Sequence, residues 1–167
     1  MVPLIVFKQI NIIEFINFIS LHNQLYLMEK KQKYIFELPI KVRDYEVDSE
    51  GIVNNANYLH YLEHTRHEFC QYAGFSFREM HSQGIDPVLR KVEIEYLTPL
   101  GLGEEMVSKL NISRKGARFL FIQDIYKPDG TPVVKATVTV ACIENGKLSR
   151  GEILAEKFEK FLNNERP

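Results

Sequence analysis

Residues 56–73 read ANYLHYLEHTRHEFCQYA, and the folding of this stretch decides the architecture around it. At 100° per residue Tyr58, Leu59, Leu62, Phe69, Cys70 and Ala73 fall in one broad stripe, which predicts an amphipathic helix. Gly74 follows as its C-terminal stop. Upstream, residues 34–45 (YIFELPIKVRDY) are rich in β-branched and aromatic side chains and predict a strand, with Pro39 favouring an edge or a bulge. Residues 46–55 (EVDSEGIVNN) are turn-rich. From Val88 onward the period changes to two. Val92, Ile94 and Tyr96 alternate with Glu93 and Glu95; Met106, Leu110 and Ile112 alternate with Val107, Lys109 and Asn111. Residues 118–126 form a third run, Pro128-Asp-Gly-Thr a turn, and residues 133–143 a long strand whose apolar face is Val134, Ala136, Val138, Val140 and Cys142. Asn145-Gly146 marks another turn, and Ile153, Leu154, Phe158, Phe161 and Leu162 suggest a short terminal helix.

A lone helix must bury its stripe on a sheet, and consecutive strands joined by short turns run antiparallel. The expected class is therefore α+β: a curved antiparallel sheet wrapped around one central helix, in a single domain over residues 28–167. The chain has 167 residues, enough for a sizeable core. Its 21 basic and 22 acidic side chains leave a formal charge of −1, which excludes bulk electrostatic capture of nucleic acid or an anionic membrane. Two cysteines, Cys70 and Cys142, make neither a disulfide framework nor a four-cysteine zinc site, so a reducing cytoplasm is expected. Residues 1–27 differ from the rest. They carry two formal charges, Lys8 and Glu14, but polar residues from Asn11 to Gln24 interrupt any spanning segment, and no small-residue cleavage site follows. Three readings remain: a natural start at Met28, an amphipathic interaction helix, and a membrane or export segment.

Among the candidate chemistries, the Gly-rich phosphate loops and the GxSxG elbow are missing. His60-Tyr-Leu-Glu63-His64 matches H-x-x-E-H, and His67 adds a third imidazole on the same face. That face points away from the apolar stripe, so solvent or a partner is the plainer alternative to a metal. Cys70 and Cys142 fall on apolar faces and read as buried thiols. Ser49 has no histidine at a telling position. Residues 44–57 are richer in chemistry. They place Asp44, Asp48, Glu50, Gly51 and Asn54, Asn55 and Asn57 directly before the helix. The first amides of a helix are unpaired and its dipole is positive there, so a carboxylate beside such an amide can attack an ester or thioester while the amide holds the oxyanion. N-capping by the asparagines, with acids near a positive dipole, is the alternative.

The run from Asp44 to Arg66, DYEVDSEGIVNNANYLHYLEHTR, resembles the hotdog-fold acyl-CoA thioesterases of the 4-hydroxybenzoyl-CoA thioesterase type. Their pattern is roughly D-x-D-x-x-G-x-V, a turn into a helix, then Y-x-x-Y/W-x-E-x-x-R, and the likeness extends over about residues 34–163. It implies that Asp48 is the catalytic carboxylate, as nucleophile or general base, and that the Asn55 backbone N–H stabilises the oxyanion. It further implies that Gly51, Val53, Asn54 and Tyr58 shape the site, joined by Tyr61 and Phe119 at an acyl pocket. Arg114, Lys115 and Arg118 would meet the phosphates of CoA; the other reading of these three is a solvated hairpin tip. Glu63 and Arg66 match family helix positions. Val53-Asn54-Asn55 is also similar to the V-N-N of acyl-carrier-protein thioesterases, but the Asn and His those enzymes carry two and four positions after the aspartate are Glu50 and Ile52 here. The resemblance implies no metal and no cofactor, an acyl-CoA substrate, and a homodimer or dimer of dimers with the site between subunits. An acyl-carrier-protein thioesterase and a non-hydrolytic acyl-CoA-binding protein are the alternatives.

Overall fold

The computed structural model describes residues 34–162; the three readings of residues 1–27 lie outside them. Strand β1 (Phe36–Lys41) leads through a 3-10 turn (Asp44–Glu46) into helix α1 (Asn55–Tyr72) and short helix α2 (Phe77–Ser82). Strands β2 (Ile85–Tyr96), β3 (Glu105–Lys115), β4 (Arg118–Tyr126), β5 (Pro132–Glu144) and β6 (Lys147–Leu148) follow, and helices α3 (Glu152–Lys157) and α4 (Glu159–Leu162) end the described residues. The sheet is antiparallel throughout in the order β1-β3-β4-β5-β2, with β6 paired to β5. The α+β architecture expected from the change of period is present, and α1 packs on the sheet.

The helix forms where expected, from Asn54 as N-cap to Gly74, whose φ of +91° lets the chain leave the helix. Its buried face holds Tyr58, Leu62, Phe69 and Cys70 as expected but is turned at one margin. Tyr61 and Thr65 point inward with Tyr58, Leu62, Phe69 and Cys70, whereas Leu59 is exposed. The reason is a polar seam. Thr65 Oγ1 lies 2.7 Å from both Tyr61 O and Ser108 Oγ, and Gln123 donates to Leu62 O at 2.8 Å while accepting from Arg66 at 2.9 Å. These buried contacts fix the rotation of α1 on β3 and β4, where apolar surface alone tolerates sliding.

Four further expectations are corrected. The first strand stops at Lys41 because Arg43–Glu46 curl into the 3-10 turn. Helix α2 was not anticipated, although Ser76 and Glu79 form a capping box that the sequence displays. Strands β2 and β3 are not neighbours: β2 pairs with β5 at the far edge, and residues 97–104 cross back to β3. The terminal helix breaks in two at Phe158, and Ile153 is exposed. Pro39 does lie on an edge strand, β1, and Asn145 (φ 49°) and Gly146 (φ 77°) make the tight turn into β6.

The core has two parts. One gathers Tyr58, Tyr61 and Leu62 with Leu100, Met106 and Val134 around the start of α1. The other gathers Phe69, Phe75, Phe119, Phe121 and Phe158 with Leu154 around its end. Gly151 admits the C-terminal helices to this second part. Its φ is +69°, and a Cβ there would meet Phe119 Cε2 at 2.8 Å.

Both cysteines sit in this second part and are free. Burial pushes the Cys70 thiol up to about 12 and raises that of Cys142 as well. Thiolate is the reactive form, so Ellman's reagent added to the folded protein at pH 8 should label neither on the timescale of an enzyme assay. Denaturation in guanidinium should release both. Rapid labelling of the native chain would contradict this packing.

Candidate active site

The turn before α1 is built from backbone contacts. Asp48 N–H donates to Ile52 O at 2.9 Å, and Gly51 N–H donates to Asp48 O at 3.0 Å. Gly51 has φ +77°, open to glycine and strained for other residues. Bridges pair Val47 with Val53 and Ile52 with Gly101, and Val53 N–H donates to Leu100 O at 2.8 Å. Asp48 therefore stands on a braced loop, partly exposed, with Oδ1 accepting the Glu50 N–H at 3.0 Å. Its other carboxylate oxygen takes no hydrogen bond among the described residues.

The first turn of α1 accounts for its amides one by one. Asn54 N–H donates to Glu46 O, Ala56 N–H to Asn54 Oδ1, and Asn57 N–H to Asn54 O. Asn55 N–H takes no partner among the described residues. The capping alternative thus belongs to Asn54, and the open amide to Asn55. Asn55 itself is exposed, and its carbonyl accepts from Tyr96 OH at 3.1 Å. Tyr58 is buried below, its hydroxyl accepting from Leu100 N–H at 3.3 Å. Asp48, Gly51, Val53 and Asn54 thus share one backbone-bonded turn, which runs directly into Asn55 and Tyr58 at the start of α1.

It does not bring the basic hairpin to them in one chain. Arg114, Lys115 and Arg118 sit at the β3–β4 turn, beside the part of the core that packs on the end of α1. Arg114 is engaged there. Its guanidinium forks onto Glu152 at 2.8 and 3.0 Å, donates to Arg150 O, and lies over the Phe119 ring. Lys115 and Arg118 are exposed. A cleft of about 190 Å³ opens beside the middle of the helix, lined by Arg66, His67, Phe77, Leu89, Phe121 and Phe158 among others. Asp48, Asn55, Tyr61 and Phe119 are not in its walls. Arg66 borders it with a neutral partner, Gln123, and desolvation lowers its pKa. Glu63 also lines the cleft.

His60 and His64 are exposed, and His67 lies against Phe77 with ring centroids 4.5 Å apart. Among the described residues no group of three or more His, Cys, Asp or Glu is placed to hold a metal ion. Sequence reasoning overlooked Glu46. It sits two residues before Asp48, at the first acid of the D-x-D pattern, and its carboxylate is buried.

A sheet of this order folded around one long helix, with an acid braced beside that helix's N-terminus, defines a hotdog-fold protein. The family model described as Thioesterase-like superfamily matches residues 42–162, and the chain belongs to that family. It is 36% identical over 111 residues to the acyl-acyl carrier protein thioesterase ATL3 of Arabidopsis thaliana, covering 65% of this chain and 58% of that one. The chain thus spans under two thirds of ATL3's length. It is 30% identical over 115 residues to the acyl-CoA thioesterase YbgC of Haemophilus influenzae, covering 68% of this chain and 84% of that one. The crystal structure of a probable thioesterase from Bartonella henselae superposes with a TM-score of 0.64 at 30% identity, covering 69% of this chain and 97% of that one. No helix among the described residues is long and apolar enough to cross a membrane.

Proposed function

We propose that this chain is an acyl-CoA thioesterase, hydrolysing an acyl-CoA to the free acid and CoA with Asp48 and the Asn55 N–H. The observation that carries the reading is the open Asn55 amide at the positive end of an 18-residue helix, beside a braced turn bearing Asp48. The Asp48 carboxylate either attacks the thioester carbonyl or takes a proton from an attacking water. In both routes the carbonyl oxygen becomes an oxyanion that the Asn55 N–H receives, a donor worth about 2.7–4 kcal/mol in comparable sites. Collapse of the tetrahedral centre expels the CoA thiolate. If Asp48 attacked, the acyl-aspartyl anhydride is then cleaved by water.

The separation of the parts favours a homodimer. In one chain the cleft begins at Glu63, eight residues or about 12 Å along α1 from Asn55. Strand β2 is a 12-residue sheet edge with Val88, Leu89 and Tyr96 exposed. Such an edge calls for a partner. Antiparallel pairing of two β2 strands about a dyad sets the Tyr96 end, held to Asn55, against the Pro87–Leu89 end that lines the cleft. One subunit then supplies Asp48 and Asn55, with Gly51, Val53, Asn54 and Tyr58 shaping that end. The other supplies the cleft and, on its exposed β3–β4 turn, Lys115 and Arg118 for the CoA phosphates, with Arg114 as the brace that holds the hairpin. Cavities of about 150 Å³ accept benzene, so the cleft has room for a ring or a short alkyl segment. The two free buried cysteines suit a cytoplasmic setting.

Release of thiol from a panel of acyl-CoAs, read with Ellman's reagent, tests the reading. The same acyl groups on a carrier protein test the second reading, which the likeness to ATL3 favours. Tight CoA binding without thiol release from any member would leave a non-hydrolytic binder. The dimer has its own test. Sedimentation should give twice the 19.5 kDa chain mass. Val88→Glu, placing a charge on the β2 edge, should give monomers with hydrolysis reduced about 100-fold, since a shared site loses its geometry when the subunits part. A fully active monomer would remove the shared site.

A further inference from the structure

Glu46 is 5% exposed, and the two ends of the residue grip different parts of the site. Its side-chain Oε2 accepts the Arg43 N–H at 2.7 Å and the Tyr61 hydroxyl at 2.8 Å. Its backbone carbonyl accepts the Asn54 N–H at 3.0 Å and the Asn57 side-chain amide at 2.7 Å. Arg43 also lies 3.4 Å from Oε1, but Arg43 is exposed and that contact is screened. Burying a carboxylate is costly unless it is hydrogen-bonded, and here Oε2 accepts two bonds. Tyr61 is committed to the contact, because burial and the neighbouring Glu46 both hold its hydroxyl in the protonated, donating form.

The Arg43 bond closes the 3-10 turn on itself, and the three bonds from Asn54, Asn57 and Tyr61 tie that turn to the N-cap and first two turns of α1. Asp48 lies two residues after Glu46 on one side of this clasp. The Asn55 amide lies one residue after Asn54 on the other. No side-chain bond joins Asp48 to Asn55 directly; the main-chain bonds of the turn hold Asp48 to Ile52, and Glu46 ties the start of that turn to α1. We propose that Glu46 is a positioning residue for thioester hydrolysis, holding Asp48 and the Asn55 N–H in register from beneath. The proposal rests on the reading of Asp48 and Asn55 given above. Misplacement of reacting groups by about 1 Å can cost 100-fold in rate, which sets the scale of the effect.

The experiment compares Glu46→Ala, Glu46→Gln and Tyr61→Phe with wild type and Asp48→Asn, measuring kcat, KM and thermal midpoint with an accepted acyl-CoA. Glu46→Ala should lower kcat about 100-fold at a temperature where it is fully folded, with KM within about threefold. Glu46→Gln keeps an oxygen that accepts both bonds and should hold kcat within about threefold of wild type. Tyr61→Phe removes one bond of the clasp and should lower kcat about tenfold. A residue that served stability alone would move the midpoint and leave the kcat of the folded protein unchanged. Wild-type kcat in folded Glu46→Ala overturns the proposal, as does Glu46→Gln as slow as Glu46→Ala. Should Glu46→Ala not fold, Tyr61→Phe decides, and wild-type kcat there overturns it. Activity retained in Asp48→Asn would instead sink the parent reading, whereas an inactive Asp48→Asn beside a fully active Glu46→Ala sinks this proposal alone.

Discussion

Asp48→Asn should abolish thioester hydrolysis, lowering kcat by about 1,000-fold, within the range carried by one positioned acid–base or nucleophilic group. KM should change by less than about threefold, because the carboxylate acts on the reacting carbonyl and not on the CoA moiety. The substitution is nearly isosteric, and the turn survives it. The Asp48 N–H to Ile52 O and Gly51 N–H to Asp48 O bonds are made by the main chain, and an amide oxygen can still accept the Glu50 N–H. Asp48→Ala should be equally inactive and somewhat less stable, since it loses that last bond, worth about 1 kcal/mol. Steady-state thiol release with both variants is the measurement. Hydrolysis at the wild-type rate in both, with protein of wild-type melting point, removes Asp48 from the chemistry.

The largest effect on stability is expected at the opposite end of the chain. Phe158 is 1% exposed and ends α3. Its ring stacks on Phe69 at 5.6 Å and meets Phe75 at 5.1 Å, Phe121 at 6.0 Å and Phe119 at 6.1 Å. It therefore joins α1, the loop after it and strand β4 to the C-terminal helices. Phe158→Ala should cost about 3–5 kcal/mol in urea unfolding, because the transfer energy of the ring is lost and a void remains. At about 3 °C per kcal/mol for a chain of this size, the melting point should fall by roughly 10–15 °C. Phe158 also lines the cleft, so the variant should bind a bulkier acyl group than wild type does. A loss below about 1 kcal/mol would mean that the C-terminal helices do not dock on the second part of the core.

Local features of the sequence predict local features of the structure well. The helix from Asn54 to Gly74 follows from its stripe and its glycine stop, and β5 from the alternation of Val134, Ala136, Val138, Val140 and Cys142, all of which are buried. The turns at Pro128–Thr131 and Asn145-Gly146 follow from their residue chemistry. The capping box at Ser76 and Glu79 was equally visible and would have announced α2. Leu59 shows where this reasoning stops. Hydropathy places it on the buried stripe, but contacts of Thr65 with Ser108 and of Gln123 with Leu62 rotate the helix so that Tyr61 and Thr65 go inside.

The same division runs through the site. The acid, the glycine and the asparagines lie within eight residues of one another, so chain connectivity alone obliges Asp48 and the N-terminus of α1 to be near neighbours. Residue patterns along the chain fix the long helix, the main strands, their turns and this cluster. Long-range packing set which strand lies at the edge among the described residues, that Arg114 is spent on Glu152 while Lys115 and Arg118 stay exposed, that the cleft opens beside the middle of α1, and that Glu46 is buried as a clasp. Periodicity and turn chemistry report backbone preferences over a few residues. Strand order, burial of a charge and the ends of a cleft are set by contacts between segments tens of residues apart, and nothing in the spacing of residues along the chain encodes those.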